Sequence, residues 1–255
     1  MNLCIGFIGT GSITKHIVRG LKASHMADAP VLLSPRNQAV AQDLSERLPG
    51  VQIAANNQDV LNRADLIILA VRPQLAAEVI RPLAFDPDKP VISLIATLPI
   101  TDLHAWTGVT QICRAIPLPF VERRSCVTPV FPPLPAAMEL FGALGQALAV
   151  TDRAAFDSYA AASALMGTYF GLVESASAWM QMQGIPEQDA AAYLRALFAN
   201  LGTTLRDDPQ SATALRLAHS TKGGLNEQLR RVFQTNGGDA ALKAGLSAVL
   251  DRIRN

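Results

Sequence analysis

Charge is scarce in this 255-residue chain: Asp, Glu, Lys and Arg make up 17% of it and nearly cancel, 22 basic against 21 acidic. Neither half has an excess, since residues 1–150 carry 12 basic and 11 acidic side chains and the remainder 10 and 10. A protein that grips a phosphate backbone needs a basic patch, so nucleic acid is a poor fit. Cysteine is scarce too. Cys4, Cys113 and Cys126 are odd in number and far apart, with no Cys-x-x-Cys spacing. That argues against a disulfide framework or a cysteine zinc site and points to reduced thiols in a cytoplasmic protein. The four histidines, His16, His25, His104 and His219, are isolated, with none four residues from another, so no metal site is expected. The opening MNLCIGFIGTGS lacks a basic region ahead of its apolar residues and passes straight into a strand pattern, unlike a signal peptide. Long apolar runs are also missing. Residues 158–186 carry Glu174 as their one charge, but they are rich in Ala, Ser, Gly and Gln, and Glu174 at bilayer depth would cost about a few kcal/mol. A buried helix fits better than a membrane span. A long uncharged helix also predicts a subunit interface, because a monomer would expose a large apolar patch; a homodimer or higher homo-oligomer is expected.

What is present is apolar bulk: 49% of the residues are hydrophobic, enough for one large domain or two modest ones and too much for a disordered chain. Residues 3–8, 30–34, 51–54, 66–71, 91–95 and 111–116 read as strands, continuously apolar as in a parallel sheet buried on both faces. Helical patterns alternate with them, for example over residues 13–23 and 38–48. Strand–helix alternation predicts a doubly wound α/β sheet with right-handed crossovers. From 125 to 150 the pattern turns irregular, with four prolines from Pro129 to Pro135.

After Val150 the strand pattern stops. Thr151-Asp152 looks like a cap before a long Ala-rich helix. Ile185-Pro186-Glu187 opens another helix, with Leu194, Leu197, Phe198, Leu201 and Leu205 on one stripe. Asp207-Asp208-Pro209 reads as a turn. Helices then follow Gly223-Gly224, carrying Leu225, Leu229, Val232 and Phe233, and begin again near Asp239, with Leu242, Leu246, Val249, Leu250 and Ile253 expected inward. The expected division is residues 1–150, a dinucleotide-binding domain, and 151–255, an all-helical domain.

Gly9-Thr10-Gly11-Ser12-Ile13-Thr14 lies between the first strand and the first helix. Glycines at 9 and 11 permit a tight turn and let backbone approach a pyrophosphate, with the N–H groups of Ser12 and Ile13 at a helix start favouring an anion. Thr14 occupies the third small position, which loosens the fingerprint. The other reading is a glycine turn without a ligand. The second strand ends at Ser34-Pro35-Arg36-Asn37, where an NAD site usually has an acidic residue for the ribose 2′-hydroxyl. A neutral position followed by Arg36 suits a 2′-phosphate, so NADP(H) is expected over NAD(H). Arg36 could equally be a solvated helix-start residue. No nucleophile elbow, zinc motif or Walker sequence appears, which suits hydride transfer, where the cofactor carries the chemistry. A protonated imine acceptor would need no strong acid from the protein, whereas a ketone would need a proton donor.

These blocks resemble the pyrroline-5-carboxylate reductases. Ile5-Gly6-Phe7-Ile8-Gly9-Thr10-Gly11 looks like that family's opening, and Ala70-Val71-Arg72-Pro73-Gln74 is similar to its Ala-Val-Lys-Pro-Gln segment. Asn57 matches an Asn on the adenosine side. Residues 92–96, ending in Ala96, and Arg114-Ala115-Ile116-Pro117 fall at the cofactor-facing ends of the fifth and sixth strands. Ser163 to Tyr169 lies at the family's Ser-Gly-Ser-Gly-Pro-Ala-Tyr, and Lys222-Gly223-Gly224-Leu225-Asn226 at its Pro-Gly-Gly-Thr-Thr. The resemblance spans nearly the whole chain. It implies an N-terminal Rossmann domain, a C-terminal helical dimerisation domain, and NADP(H)-dependent reduction of a C=N bond to L-proline or a related cyclic amino acid. It also implies a cyclic imine or imino acid as substrate, bound near the subunit interface.

The departures fall on the substrate side. Met-Pro-Asn-Thr-Pro becomes Ile116-Pro117-Leu118-Pro119-Phe120, Ser-Gly-Ser-Gly-Pro becomes Ser163-Ala164-Leu165-Met166-Gly167, and the paired threonines become Leu225 and Asn226. Lys222 and Asn226, four apart at a helix start, are expected to share a face. As a functional pair they would bind a carboxylate or protonate a product, as in a hydroxyacid or keto-acid oxidoreductase; otherwise they support the glycine turn. Ser163 and Thr221 are candidates for substrate contact, or capping residues. Tyr169, Trp106 and Trp179 read as packing or interface residues, and Arg123-Arg124 as a solvated pair. Apolar Leu118 and Leu225 also admit a non-catalytic NADP-binding paralogue.

Overall fold

The computed structural model describes residues 3–254; Met1 and Asn2, the first residues of the sequence judged unlike a signal peptide, lie outside them. The first strand, β1 (Ile5–Ile8), is fully buried and runs through Gly9 into α1 (Ser12–Lys22). Ile17, Val18 and Leu21 recur at helical spacing on α1 and pack beside Ile5 and Phe7. There follow β2 (Val31–Leu33), α2 (Gln38–Arg47), β3 (Val51–Ile53), α3 (Asn57–Arg63), β4 (Leu66–Leu69), α4 (Pro73–Ile80), β5 (Val91–Ser93), α5 (Ile100–Thr107) and β6 (Ile112–Ala115). Each predicted strand is present, shorter by one or two residues where backbone leaves the ladder.

The irregular stretch hides three further elements: β7 (Cys126–Phe131), α6 (Pro135–Ala143) and β8 (Gly145–Ala149). Pro135 begins α6 at a position whose N–H would have no intrahelical partner, so the proline there starts a helix. The sheet order is β3-β2-β1-β4-β5-β6-β7-β8, parallel except that β7 runs antiparallel to β6. One face is covered by α1, α2 and α6 and the other by α3, α4 and α5, each with its own apolar cluster.

Between β6 and β7 the chain makes a short 3-10 helix, Pro119–Arg123, that lies on α1. The approach is close: a Cβ on Gly20 would clash with the carbonyl oxygen of Val121. Glu122 there meets His16 Nδ1 at 2.5 Å and Arg19 Nη1 at 3.4 Å, and these partners, His16 first, hold its carboxyl below the usual carboxylate range.

The helix α7 (Arg153–Ser163) is capped by Asp152, whose carboxylate accepts from the Ala155 N–H at 2.8 Å. It packs on β7, with the Phe131 and Phe156 rings 5.7 Å apart. The chain divides into two compact units: residues up to Ser163 with the end of the chain from Leu250, and Ala164–Val249. The first unit therefore reaches past the expected boundary at 150, because α7 packs on the sheet instead of joining the following helices.

The second unit is helical: α8 (Leu165–Met182), α9 (Glu187–Asp207), α10 (Ala212–Ala218), α11 (Leu225–Thr235) and most of α12 (Gly238–Arg254). Tyr169 on α8 meets Phe198 on α9 edge-on at 5.4 Å, and Arg230 on α11 grips Asp239 at the start of α12 through two 2.7 Å bonds. The short α10 was not anticipated. The expected stripes are present, but they are not inward: Leu201, Leu205, Leu229, Val232 and Phe233 are all exposed, and only Leu194 of the α9 stripe is buried. Helical periodicity places side chains on one face, and within the helical unit that face is left largely uncovered. No helix among the described residues is long and apolar enough to cross a membrane.

Candidate functional site

The strand order reverses direction of winding between β1 and β4, and ligands of such sheets sit outside the carboxyl ends of the strands at that switch point. The turn after β1 is built for this. Gly9 has φ +104, and a Cβ there would lie 2.5 Å from the carbonyl oxygen of Ala70, so only glycine lets the turn close on the β4 loop. Thr14 supplies a lock: its buried Oγ1 donates to the Gly9 carbonyl at 2.7 Å. The residue that departs from the small-residue fingerprint therefore holds the turn. Ser34 does the same from β2, its Oγ accepting from the Gly9 N–H at 2.8 Å, while Thr10 Oγ1 donates to the Ser34 carbonyl at 2.7 Å.

Around this turn lies an open groove of about 420 Å³, lined by Gly9, Thr10, Gly11, Arg36, Asn37, Gln38, Ala70, Val71, Arg72 and Leu75. Its wall has two guanidinium groups and no carboxylate. α1 enters it with Gly11 at the N-cap, no side-chain cap and no acidic residue in its first turn, so the N–H groups of Ser12 and Ile13 remain for an anion. Gly11 has open space where a Cβ would stand. The groove thus fits a ligand carrying several phosphates, and Arg36, exposed beside Asn37 at the end of β2, fits one of them apart from the pyrophosphate.

Of the residues predicted for a cofactor, the structure brings Gly9, Gly11, Arg36, Asn37, Ala70, Val71 and Arg72 to this groove. Ser34 is buried and acts through Gly9. Pro73 is the first residue of α4, just beyond Arg72. Asn57 opens α3 and does not line the groove; its neighbour Asn56 caps that helix. Ala96 and Pro117 follow β5 and β6 on the same carboxyl edge. Thr10, Gln38 and Leu75 were missed; Thr10 sits between the two glycines and could have been named from the motif.

Behind Ala96 is a buried ion pair. Arg114, on β6, and Asp157, on α7, have side chains 5% and 3% exposed and meet at 3.3 Å. Arg114 also donates to the Ala96 carbonyl and lies 4.8 Å from the centre of the Phe156 ring. Burial pulls its guanidinium below its usual value, with Asp157 opposing. Its Nε has no partner. Sequence gave no sign of this pair, whose members are 43 positions apart.

The predicted substrate residues are less assembled. Ser163 ends α7 and its Oγ donates to the Ala160 carbonyl at 2.6 Å. In the helical unit, Lys222 stands in the turn before α11, so the shared helix face expected for Lys222 and Asn226 does not form. Asn226 instead turns its amide back to the His219 carbonyl at 2.6 Å, and the Gly223 N–H is bound by Glu227. Thr221 packs against Gly224, where a Cβ would lie 2.5 Å from its Oγ1. Lys222 and Thr221 are exposed. Among the described residues no cluster of His, Cys, Asp or Glu could hold a metal ion.

Residues 4–97 match the family described as NADP oxidoreductase, coenzyme F420-dependent. The chain is similar to pyrroline-5-carboxylate reductase from Pseudomonas aeruginosa, 24% identical over 97% of this chain and 94% of that one. Its fold is similar to a solved 1-pyrroline-5-carboxylate reductase from Streptococcus pyogenes, with a TM-score of 0.84 at 21% identity, covering 98% of each chain. A Plasmodium falciparum pyrroline carboxylate reductase solved with NADP bound superimposes with a TM-score of 0.80 at 15% identity, covering 99% of this chain and 97% of that one. Over nearly its full length the chain is similar in sequence to pyrroline-5-carboxylate reductases, and it shares the fold of the solved ones.

Proposed function

We propose that this chain is an NADP(H)-dependent reductase of a cyclic C=N bond, of the kind the named relatives reduce. The observation that carries the proposal is the carboxylate-free groove around Gly9, with Arg36 and Arg72 on its wall, in a chain aligned from end to end with those reductases. Ser12 and Ile13 would hold the pyrophosphate, Arg36 and Asn37 the 2′-phosphate, and Ala70 to Pro73 the opposite side, with Ala96 and Pro117 towards the reacting end. A bound NADPH supplies the hydride. The chain's own part is to fix the acceptor beside that edge and keep water away from it. A protonated imine already carries the charge that hydride neutralises, so no strong acid is required of the protein. The relatives' identity disfavours a hydroxyacid reductase using Lys222 as acid, and a non-catalytic paralogue. Lys222, Thr221, Asn226 and Ser163 remain proposed substrate contacts; Lys222→Ala would then raise KM for the acceptor and leave kcat near its original value.

The test is titration of the purified chain with NADPH and NADH by fluorescence, then initial rates of NADPH oxidation with 1-pyrroline and pyrroline-5-carboxylate. Binding of NADPH in preference to NADH, with turnover of either imine, supports the reading. Failure to bind either nucleotide would overturn it.

The helical unit belongs to a homodimer in this reading. Phe170, Met182, Leu225 and Leu229 are between 66% and 84% exposed, and an apolar cavity of about 450 Å³ opens among Leu165, Leu172, Phe233 and Leu246. A second copy of this chain would cover these faces. Light scattering at micromolar protein should give twice the 27.2 kDa chain mass. Three free thiols, two of them buried, suit a cytoplasmic setting.

A further inference from the structure

β7 alternates strictly. Cys126, Thr128 and Val130 point into the core, and Val127, Pro129 and Phe131 point to the face on which α7 lies. Leu148 of β8 is in register with Pro129, and Ile116 and Leu118 leave β6 alongside, the Ile116 N–H bonding to the Pro129 carbonyl. Tyr159, Ala162 and Ser163 of α7 close the other side. Together these eight residues line an open pocket of about 290 Å³. Because β7 is antiparallel to β6, its first residues stand at the carboxyl edge, where Ala96 and Pro117 also lie.

The wall chemistry is one-sided. No amine, guanidinium or side-chain amide lines the cavity; its side-chain polar groups are two hydroxyls, and that of Ser163 is already engaged with Ala160. The backbone offers little, since the Leu118 N–H turns to Cys126 Sγ and Pro129 has no N–H. A carboxylate against this wall would give up part of its hydration and meet no counter-charge. A hydrocarbon substituent would be drawn in by the same wall.

Resting on the reductase reading above, we infer that this cavity receives the ring substituent of the acceptor, and that the preferred substrate is a pyrroline-type cyclic imine bearing an uncharged, apolar group where pyrroline-5-carboxylate carries its carboxylate. Leu118, Val127, Leu148 and Tyr159 set that preference. Leu118 puts a hydrocarbon side chain where the resemblance has an asparagine, and Val127, 52% exposed, stands at the mouth.

The test compares kcat/KM for 5-methyl-1-pyrroline, 1-pyrroline and pyrroline-5-carboxylate with NADPH, using the full-length chain and Val127→Lys. NADPH affinity of both proteins, measured by fluorescence, reports on folding, since Val127 is outside the cofactor groove. The expected result is at least a tenfold preference for the methyl compound over the carboxylate, with Val127→Lys shifting that ratio at least tenfold towards the carboxylate at unchanged NADPH affinity. Equal or better use of pyrroline-5-carboxylate by the original chain would overturn the inference while leaving the reductase reading in place. An unchanged ratio in Val127→Lys would overturn the assignment of the cavity. Tight NADPH binding with no oxidation by any of the three would overturn the reductase reading, and the inference with it.

Discussion

Replacing Arg114 by Met removes a guanidinium from a site where it and Asp157 are almost completely buried. The Asp157 carboxylate keeps only the Nε of Arg153, 3.7 Å away on a side chain 56% exposed. Removing one member of a buried pair costs about 3–5 kcal/mol, chiefly for the charge left behind. Part of that is returned because the partnerless Nε of Arg114 disappears as well, a buried unsatisfied donor worth roughly 1–3 kcal/mol. The Ala96 carbonyl also loses a donor, but Ala96 is exposed and water replaces it. Central values of about 4 less about 2 leave a loss of about 2 kcal/mol, which for a chain of this size lowers Tm by roughly 4–8 °C. Thermal and urea unfolding followed by far-UV circular dichroism at neutral pH measure it. The paired change Arg114→Met with Asp157→Leu removes the stranded charge and should recover at least half of the loss. A single variant within about 1 kcal/mol of the original chain, or a double variant no better than the single, would refute the account of the pair.

Gly9→Ala should fold yet bind NADPH at least roughly tenfold more weakly, since the new Cβ meets the Ala70 carbonyl at φ +104; fluorescence titration measures it. Arg36→Ala should weaken NADPH binding roughly tenfold or more and leave NADH binding nearly unchanged, as loss of a charge-assisted bond to a 2′-phosphate requires. Asp239, gripped by Arg230, has its carboxyl held down to about 2 from 3.8. Its folded value lies below its unfolded one, so its contribution is complete above about pH 4 and fades as the pH falls towards about 2; the Tm gap between the original chain and Asp239→Asn should close over that window. Leu229→Glu puts a charge on the exposed face of α11 and should yield a monomer by light scattering if that face is the dimer contact.

The parallel half of the sheet was legible because its strands are buried on both faces and so are apolar without interruption. The segment from 126 to 149 was not, because its prolines read as breaks. Pro129 sits within β7, where its carbonyl serves the ladder, and Pro135 starts α6. The glycine turn and Arg36 were readable as a local motif. The Arg114–Asp157 pair was not, since tertiary structure alone brings together a side chain of β6 and one of α7. The stripes of α9 and α11 followed helical periodicity correctly, but periodicity says which residues share a face and not what covers them. Lys222 and Asn226 failed for the opposite reason: helical spacing was assumed across a glycine turn, and the turn broke it.

The chain from Pro117 to Ser125 leaves the carboxyl edge, rests on α1 at Gly20 and Glu122, and returns as β7. Leu118 near its start and Val127, in the strand it returns to, line the apolar cavity, while its middle packs on the helix whose first turn faces the groove. Packing on α1 thus joins the wall of the cavity to the helix that opens the groove. Enlarging Gly20, which lines neither the groove nor the cavity, would wedge the strap away from its helix and raise the acceptor's KM, a distant control on selectivity made of one missing methyl group.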